Sequence, residues 1–223
     1  MALRQLRSLK HTIILLFLLP VLVGCILKPR PPSGTLTYKG PLELKAEPGK
    51  NLPGTDILYV GVSDKMAEFK IGGQRALKKV GDSLDWQGTP TPGVRLDLNL
   101  RILLISEQAL HAGGTIDMEV ENPTPRAMAL DTGSQAKFSV PVTYGVERGE
   151  NIPGTLLVYQ ERDAEKGAKL GGIADYPYRK MGDSLVWEGK LRDNVSLKLD
   201  LRVLFFNENS LRVGGVATLW LEL

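Results

Sequence analysis

Apolar and polar residues alternate one by one over long stretches of this 223-residue chain. From Arg95 to Ile102, Leu96, Leu98, Leu100 and Ile102 take one parity, and Arg95, Asp97, Asn99 and Arg101 take the other. Ser196 to Val203 repeats the pattern, with Leu197, Leu199, Leu201 and Val203 on the apolar parity and Lys198, Asp200 and Arg202 on the polar one. A period of two is that of a strand with one buried and one wet face. TDILYVGV, from Thr55, and TLLVYQE, from Thr155, each follow a Pro-Gly pair and read as strands launched by a turn. With weaker segments included, the pattern predicts about six or seven short strands per half of the chain. No stretch carries helical periodicity. The expectation is an all-β protein built from two small antiparallel sandwich or barrel units.

The two units follow from an internal repeat. Asn51-Leu-Pro-Gly-Thr matches Asn151-Ile-Pro-Gly-Thr at an offset of 100. Gly81-Asp-Ser-Leu-Asp-Trp matches Gly182-Asp-Ser-Leu-Val-Trp at an offset of 101. LDLNLRILLI at Leu96 and HAGGTIDMEVE at His111 find their partners at Leu197 and Arg212, again 101 residues on. One-residue slippage places an insertion between the first match and the second. So long a period indicates tandem domains rather than a solenoid. The division predicted is a leader over 1–24, a Pro-rich tether over 25–34, a first β-unit over 35–122, a linker over 123–133 and a second β-unit over 134–223. The Gly-Gly pairs at 113–114 and 214–215 are expected to open the last strand of each unit with a bulge or bend.

The start of the chain departs from this pattern. Arg4, Arg7 and Lys10 precede an apolar run from Ile13 to Val23 that is too short for a transmembrane helix and fits the core of a signal peptide. It ends on Leu22-Val23-Gly24-Cys25, which resembles a bacterial lipobox. That resemblance implies cleavage before Cys25, a diacylglycerol on its thiol and attachment to a membrane through acyl chains, firmer than a single chain would give. Ile26 follows where an Asp would mark retention at the inner membrane, so by the same resemblance the outer membrane is expected in an organism that has one. The chain would face the periplasm or the exterior. Cys25 is the only cysteine, so no disulfide can form within the chain. KPRPPSG, from Lys28, is an extended tether.

Cleavage alters the charge. The chain has 28 basic and 25 acidic residues, and the leader takes Arg4, Arg7 and Lys10 with it, which leaves the remainder neutral. A neutral chain without Lys/Arg runs offers no electrostatic footprint for nucleic acid, and none is expected as a partner.

Gly-Asp-Ser-Leu, present twice, is the nucleophile signature of an esterase family with an α/β fold. A serine nucleophile needs a base, which that family takes from Asp-x-x-His near the C-terminus. Beyond the leader the only histidine is His111, preceded by Gln108 where Asp would stand, and its counterpart in the second unit is Arg212. Gly-Asp-Ser reads instead as a turn, with Leu84 and Trp86, and Leu185 and Trp187, as core anchors. No catalytic residue is expected. Asp97, Asn99, Asp117 and Glu119 could be drawn as a cation site but occupy polar strand positions, and the second unit has Thr218 and Trp220 for Asp117 and Glu119. No metal site and no cofactor are expected.

The units differ in their aromatic residues. The second carries Tyr176, Tyr178, Phe205, Phe206 and Trp220 where the first has Arg75, Leu77, Leu104, Ile105 and Glu119. Trp220 is out of phase with Ala217, Leu219 and Leu221, which places it opposite the core. Trp220, Tyr176 and Tyr178 are the candidate partner surface, since exposed aromatics suit recognition, and a bulkier core is the alternative reading for all of these aromatics except Trp220. SGTLTYKG with LPGTDILYVGVSD is similar to the start of the domain in YbaY/YscW-type envelope lipoproteins, over one strand pair per unit, and such proteins usually hold one such unit rather than two. This resemblance implies a β-module on a lipid anchor. The function expected is non-catalytic binding or assembly, with an envelope protein or a glycan held near the membrane surface. A purely structural spacer is the alternative from outside that class, and a GDSL-type esterase the other.

Overall fold

In a computed structural model describing residues 34–130 and 136–223, the alternating segments are strands and no helix occurs among the described residues. The first half holds β1 (Thr35–Ala46), β2 (Lys50–Asn51), β3 (Leu58–Ser63), β4 (Met66–Ile71), β5 (Gln74–Lys78), β6 (Trp86–Thr91), β7 (Val94–Ile105) and β8 (Leu110–Glu121). After β9 (Arg126–Ala127), the second half holds β10 (Ala136–Glu147), β11 (Val158–Asp163), β12 (Gly167–Gly171), β13 (Tyr178–Arg179), β14 (Ser184–Arg192), β15 (Val195–Phe206) and β16 (Ser210–Leu221). The protein is all-β, with antiparallel sheets. The leader, Cys25 and the tether up to residue 33 lie outside the described residues.

The large sheets have the orders β1-β8-β7-β6 and β10-β16-β15-β14-β9, and the smaller ones β2-β3-β4-β5 and β11-β12-β13. Each half thus pairs its first long strand with its last. Tyr38 faces Met118 across β1 and β8, and Phe138 faces Leu219 across β10 and β16. The change of spacing from 100 to 101 lies in one hairpin. In the first half Ser63 pairs with Met66 around Asp64 and Lys65, both left-handed. In the second half Asp163 pairs with Gly167 around three residues, and Gly167 takes the positive φ.

The Gly-Gly pairs lie inside β8 and β16 rather than ahead of them, and the bulge falls on the facing strand. It sits between Ile102 and Leu104 of β7, and between Val203 and Phe205 of β15. The extra residue, Leu103 or Leu204, folds over the bare glycine, where a Cβ on Gly113 or Gly214 would stand 2.7 or 2.9 Å from the leucine Cδ1. The second glycine permits close backbone approach, since a Cβ on Gly114 would sit 2.0 Å from the carbonyl oxygen of Asn99.

The buried faces of the sheets merge into one core running through both halves, and the described residues form one compact unit. The joint is reciprocal. A Cβ on Gly54 of the first half would meet Phe138 Cζ at 2.9 Å, and one on Gly154 of the second would meet Tyr38 Oη at 3.0 Å. Gly40 of β1 approaches Val140 and Pro141 of β10. At the rim Asn194 Nδ2 donates to Thr91 Oγ1 (2.8 Å) and to the Pro92 carbonyl (3.0 Å). The described part of the stretch expected as a linker, residues 123–130, joins this body, because Thr124 N–H donates to Leu191 O and β9 pairs with Gly189 and Lys190.

Candidate functional site

The two Gly-Asp-Ser-Leu sequences form equivalent turns. Gly81 and Gly182 have φ of 91° and 86°. Asp82 Oδ2 accepts the Lys79 N–H at 2.7 Å, and Asp183 Oδ2 accepts the Lys180 N–H at the same distance. Gly81 N–H donates to Ile102 O, and Gly182 N–H to Val203 O. The aspartates are thus spent on turn geometry. Ser83 bridges Arg101 of β7, which in turn pairs with Gly113 of β8. His111 lies two residues beyond Gly113, so two inter-strand steps of about 4.8 Å and two residues of about 3.3 Å along β8 put it roughly 12 Å from Ser83. Its Nδ1 contacts Glu43 Oε1 at 3.4 Å instead.

Leu84, Leu185 and Trp187 are buried, while Trp86 is half-buried. The indoles differ in one contact. Trp86 Nε1 donates to Asp56 Oδ1 at 2.6 Å, whereas Trp187 Nε1 is buried without a partner among the described residues. The residue that follows the Pro-Gly-Thr turn is Asp56 in the first half and Leu156 in the second.

On the outward face of the first large sheet, charges stand in rows. Lys39, Asp117, Asp97 and Gln87 are successive partners across β1, β8, β7 and β6, and Thr37, Glu119 and Arg95 form the next row. Asp97 and Asp117 face each other directly. Lys39 pairs with Asp117, which raises the lysine pKa, and Arg95 reaches Glu119 at 3.3 Å. Asn99 Nδ2 donates to Asp97 Oδ1 at 2.9 Å. Among the described residues no group of three or more His, Cys, Asp or Glu side chains is placed to hold a metal ion.

The second large sheet presents a different face. Outward positions along β16 are Arg212, Gly214, Val216, Thr218 and Trp220, against His111, Gly113, Thr115, Asp117 and Glu119 along β8. One row runs Pro141, Val216, Asp200, Val186, and another Lys137, Trp220, Ser196, Lys190. Val186, Leu204, Phe205 and Val216 are all exposed on this side. Trp220 lies out of phase with the buried Ala217, Leu219 and Leu221 and is half-buried, with Lys137 Nζ 5.9 Å from the ring centroid. Lys198 bridges to Glu188 at 2.9 Å, which raises its pKa.

Tyr176 and Tyr178 belong to a second feature, a cleft of about 410 Å³ lined by Lys166, Asp175, both tyrosines, Arg179, Lys180, Asp183 and Ser184. In the first half the equivalent chain is regular strand: β5 pairs with β4 along its length, and Arg75 grips Glu68 through two bonds of 2.8 and 2.9 Å. That pair holds the Glu68 carboxyl below its usual range. In the second half Pro177 stands where Ala76 stands. Its carbonyl accepts the Leu170 N–H at 2.8 Å, but proline has no N–H to return. The pairing stops there, and 172–177 become a loop.

Arg179 fastens that loop. Its guanidinium donates to the carbonyls of Tyr176, Tyr178 (3.0 Å) and Ser184 (3.2 Å) and pairs with Asp175 at 3.0 Å. The first half has Lys78 here, with one bond to Ser83 O. A planar fork of donors can hold several acceptors where an ammonium holds one. The tyrosine rings lie 5.5 Å apart at 48°, with Lys166 Nζ 5.2 Å from the centroid of Tyr178.

The three aromatics expected as one surface occupy two places. Ser184 at the cleft pairs with Arg202, and Trp220 pairs with Ser196, six residues back along β15. At 3.3 Å per residue that is about 20 Å. Sequence reasoning missed the apolar members Val186, Leu204 and Val216, although comparing outward positions 101 residues apart would have found Thr115 against Val216. It also missed Pro177 and Arg179, whose effect is visible only in the pairing. No protein-family model, no curated protein and no solved structure matches this chain.

Proposed function

We propose that the chain is a lipid-anchored envelope protein that binds rather than catalyses, its second half holding a protein or glycan partner near the membrane surface. The observation that carries this reading is the outward face of β16, where Val216 and Trp220 replace the Thr115 and Glu119 of β8. A pure spacer requires no such divergence between halves of matching strand order. Aromatic and aliphatic side chains on an otherwise charged sheet suit a recognition surface. The lipobox-like Leu22-Val23-Gly24-Cys25 supports anchorage through acyl chains on Cys25, and the sorting pattern favours an outer membrane where one exists. Both Gly-Asp-Ser turns are accounted for by backbone hydrogen bonds, which supports a non-catalytic role.

The test is crosslinking of the full-length protein in cells, with mass spectrometry of what co-purifies, beside a Trp220→Ser variant. One dominant partner, lost in the variant, is the expected result. A diffuse set unchanged by the variant would leave the spacer reading in its place. Cys25→Ser is expected to move the protein from the membrane to the soluble fraction, read by fractionation, and full retention at the membrane would refute the acyl anchor.

A further inference from the structure

The cleft at Tyr176 and Tyr178 has the chemistry of a ligand site, and its groups divide into those already engaged and those left over. Arg179 is spent on three carbonyls and Asp175. Asp183 accepts the backbone N–H of Lys180. The ammonium groups of Lys166 and Lys180 have no ion-pair partner among the described residues, and the Ser184 hydroxyl forms no hydrogen bond there. Two tyrosines complete the lining, Tyr176 being 60% exposed. The available set is therefore the exposed Tyr176 ring, the Lys180 ammonium and the Ser184 hydroxyl, beside a Tyr178 ring over which the Lys166 ammonium already rests.

An aromatic face is electron-rich and attracts the weakly positive C–H bonds of a flat, partly apolar ring. Two cations beside it attract negative charge. The cleft is open to solvent, and its volume of about 410 Å³ leaves room for a single sugar ring. Polar groups at the rim suit a polyhydroxylated ligand. We infer that this cleft binds a sugar residue bearing an anionic group, the ring lying on Tyr176 and the carboxylate or phosphate meeting Lys180, beside Lys166 and Tyr178. The assignment deepens the binding-module reading by naming one class of ligand, and it involves a different surface from Trp220.

Three features of the second half create the cleft together. Pro177 opens the hairpin, Arg179 holds the opened loop, and the longer 163–167 hairpin brings Lys166 over Tyr178. In the first half Arg75 and Glu68 close the same place with an ion pair. The first half therefore serves as a control within the same molecule.

The test is calorimetric titration of the full-length protein in detergent with three probes: trigalacturonate, its neutral methyl ester and glucose 1-phosphate. Saturable binding of trigalacturonate or glucose 1-phosphate is expected, with the methyl ester at least about tenfold weaker than trigalacturonate, a step of about 1.4 kcal/mol. Binding by trigalacturonate alone would select a carboxylate sugar, and by the phosphate alone a phosphorylated one. Tyr176→Ala, at an exposed position, should weaken binding about tenfold, and Lys180→Gln several-fold, with the loss shrinking as salt rises. Trp220→Ser should bind as the unaltered protein does, so this site and the β16 face fail separately. No saturation by any anionic probe up to about 1 mM, or equal binding by Tyr176→Ala, would overturn the assignment. If Tyr176→Ala unfolds, Lys180→Gln together with the ester comparison decides.

Discussion

Tyr59 and Tyr159 occupy equivalent buried positions with different hydroxyl chemistry. Tyr159 Oη donates to the Asn207 carbonyl, whereas Tyr59 Oη is buried without a partner among the described residues. A typical hydrogen bond contributes about 1 kcal/mol net, and a buried unsatisfied polar group costs about as much or more. Tyr159→Phe should therefore destabilise by about 1 kcal/mol, while Tyr59→Phe should be neutral or stabilising. Denaturant unfolding of both variants measures the difference, and equal losses would contradict the contact assignment. The indoles give the same comparison in reverse. Leu156 is exposed and stands where Asp56 serves Trp86. Leu156→Asp should supply the missing acceptor to Trp187 and raise stability by about 1 kcal/mol. Alternation in the sequence marked Leu185 and Trp187 as core, but the orphaned indole is a property of a contact 31 residues away and has no local mark.

At the scale of elements, the strands were legible wherever one face is buried and the other wet, as in β7 and β15. Glycine-rich segments were not. The Gly-Gly pairs signalled an irregularity, yet the irregularity falls on the facing strand, where Leu103 and Leu204 are the extra residues. Single-strand patterns do not show which partner absorbs a bulge. Pro177 is the other such case, because the loss of one N–H ends the β12–β13 pairing only through its reciprocal partner, Leu170. Pro177→Ala should restore that bond and protect the amide at position 177 from hydrogen exchange. An amide that exchanges at the rate of a free loop would contradict this. The 163–167 hairpin carries a pH dependence of its own. Asp163 Oδ1 accepts the N–H groups of Lys166 and Glu165 at 2.8 and 2.9 Å, and these bonds hold its carboxyl below the usual range. A depressed folded-state pKa means that the contribution is complete above the unfolded value of about 3.9 and fades as pH falls through the folded one. The Lys166 amide resonance should titrate with a midpoint below about 3.9, and a higher midpoint would exclude those bonds as its cause.

At the scale of the described molecule, matched spacing along the sequence announced two units but not their shared core. Gly54 and Gly154 looked like turn residues alone. They are also the places where Phe138 and Tyr38 cross from one half into the other. Gly154→Val combines a left-handed φ of 78° with contacts to Tyr38 and Leu197, and should destabilise the whole body by about 2–4 kcal/mol. A single unfolding transition, shifted as one, is the expected outcome, and two transitions with the first half untouched would separate the halves. The candidate site was half legible. Aromatic residues pointed to the second half, whereas their division between a sheet face and a cleft came from register.

The central claim is that the second half carries the working surface. Its most direct test exchanges the residues at the equivalent positions, Trp220→Glu in one variant and Glu119→Trp in another, with in-cell crosslinking and quantitative mass spectrometry of each. Loss of the dominant partner in Trp220→Glu, with recovery unchanged in Glu119→Trp, is the result predicted. Unchanged recovery in both variants, or an equal loss in both, would contradict it.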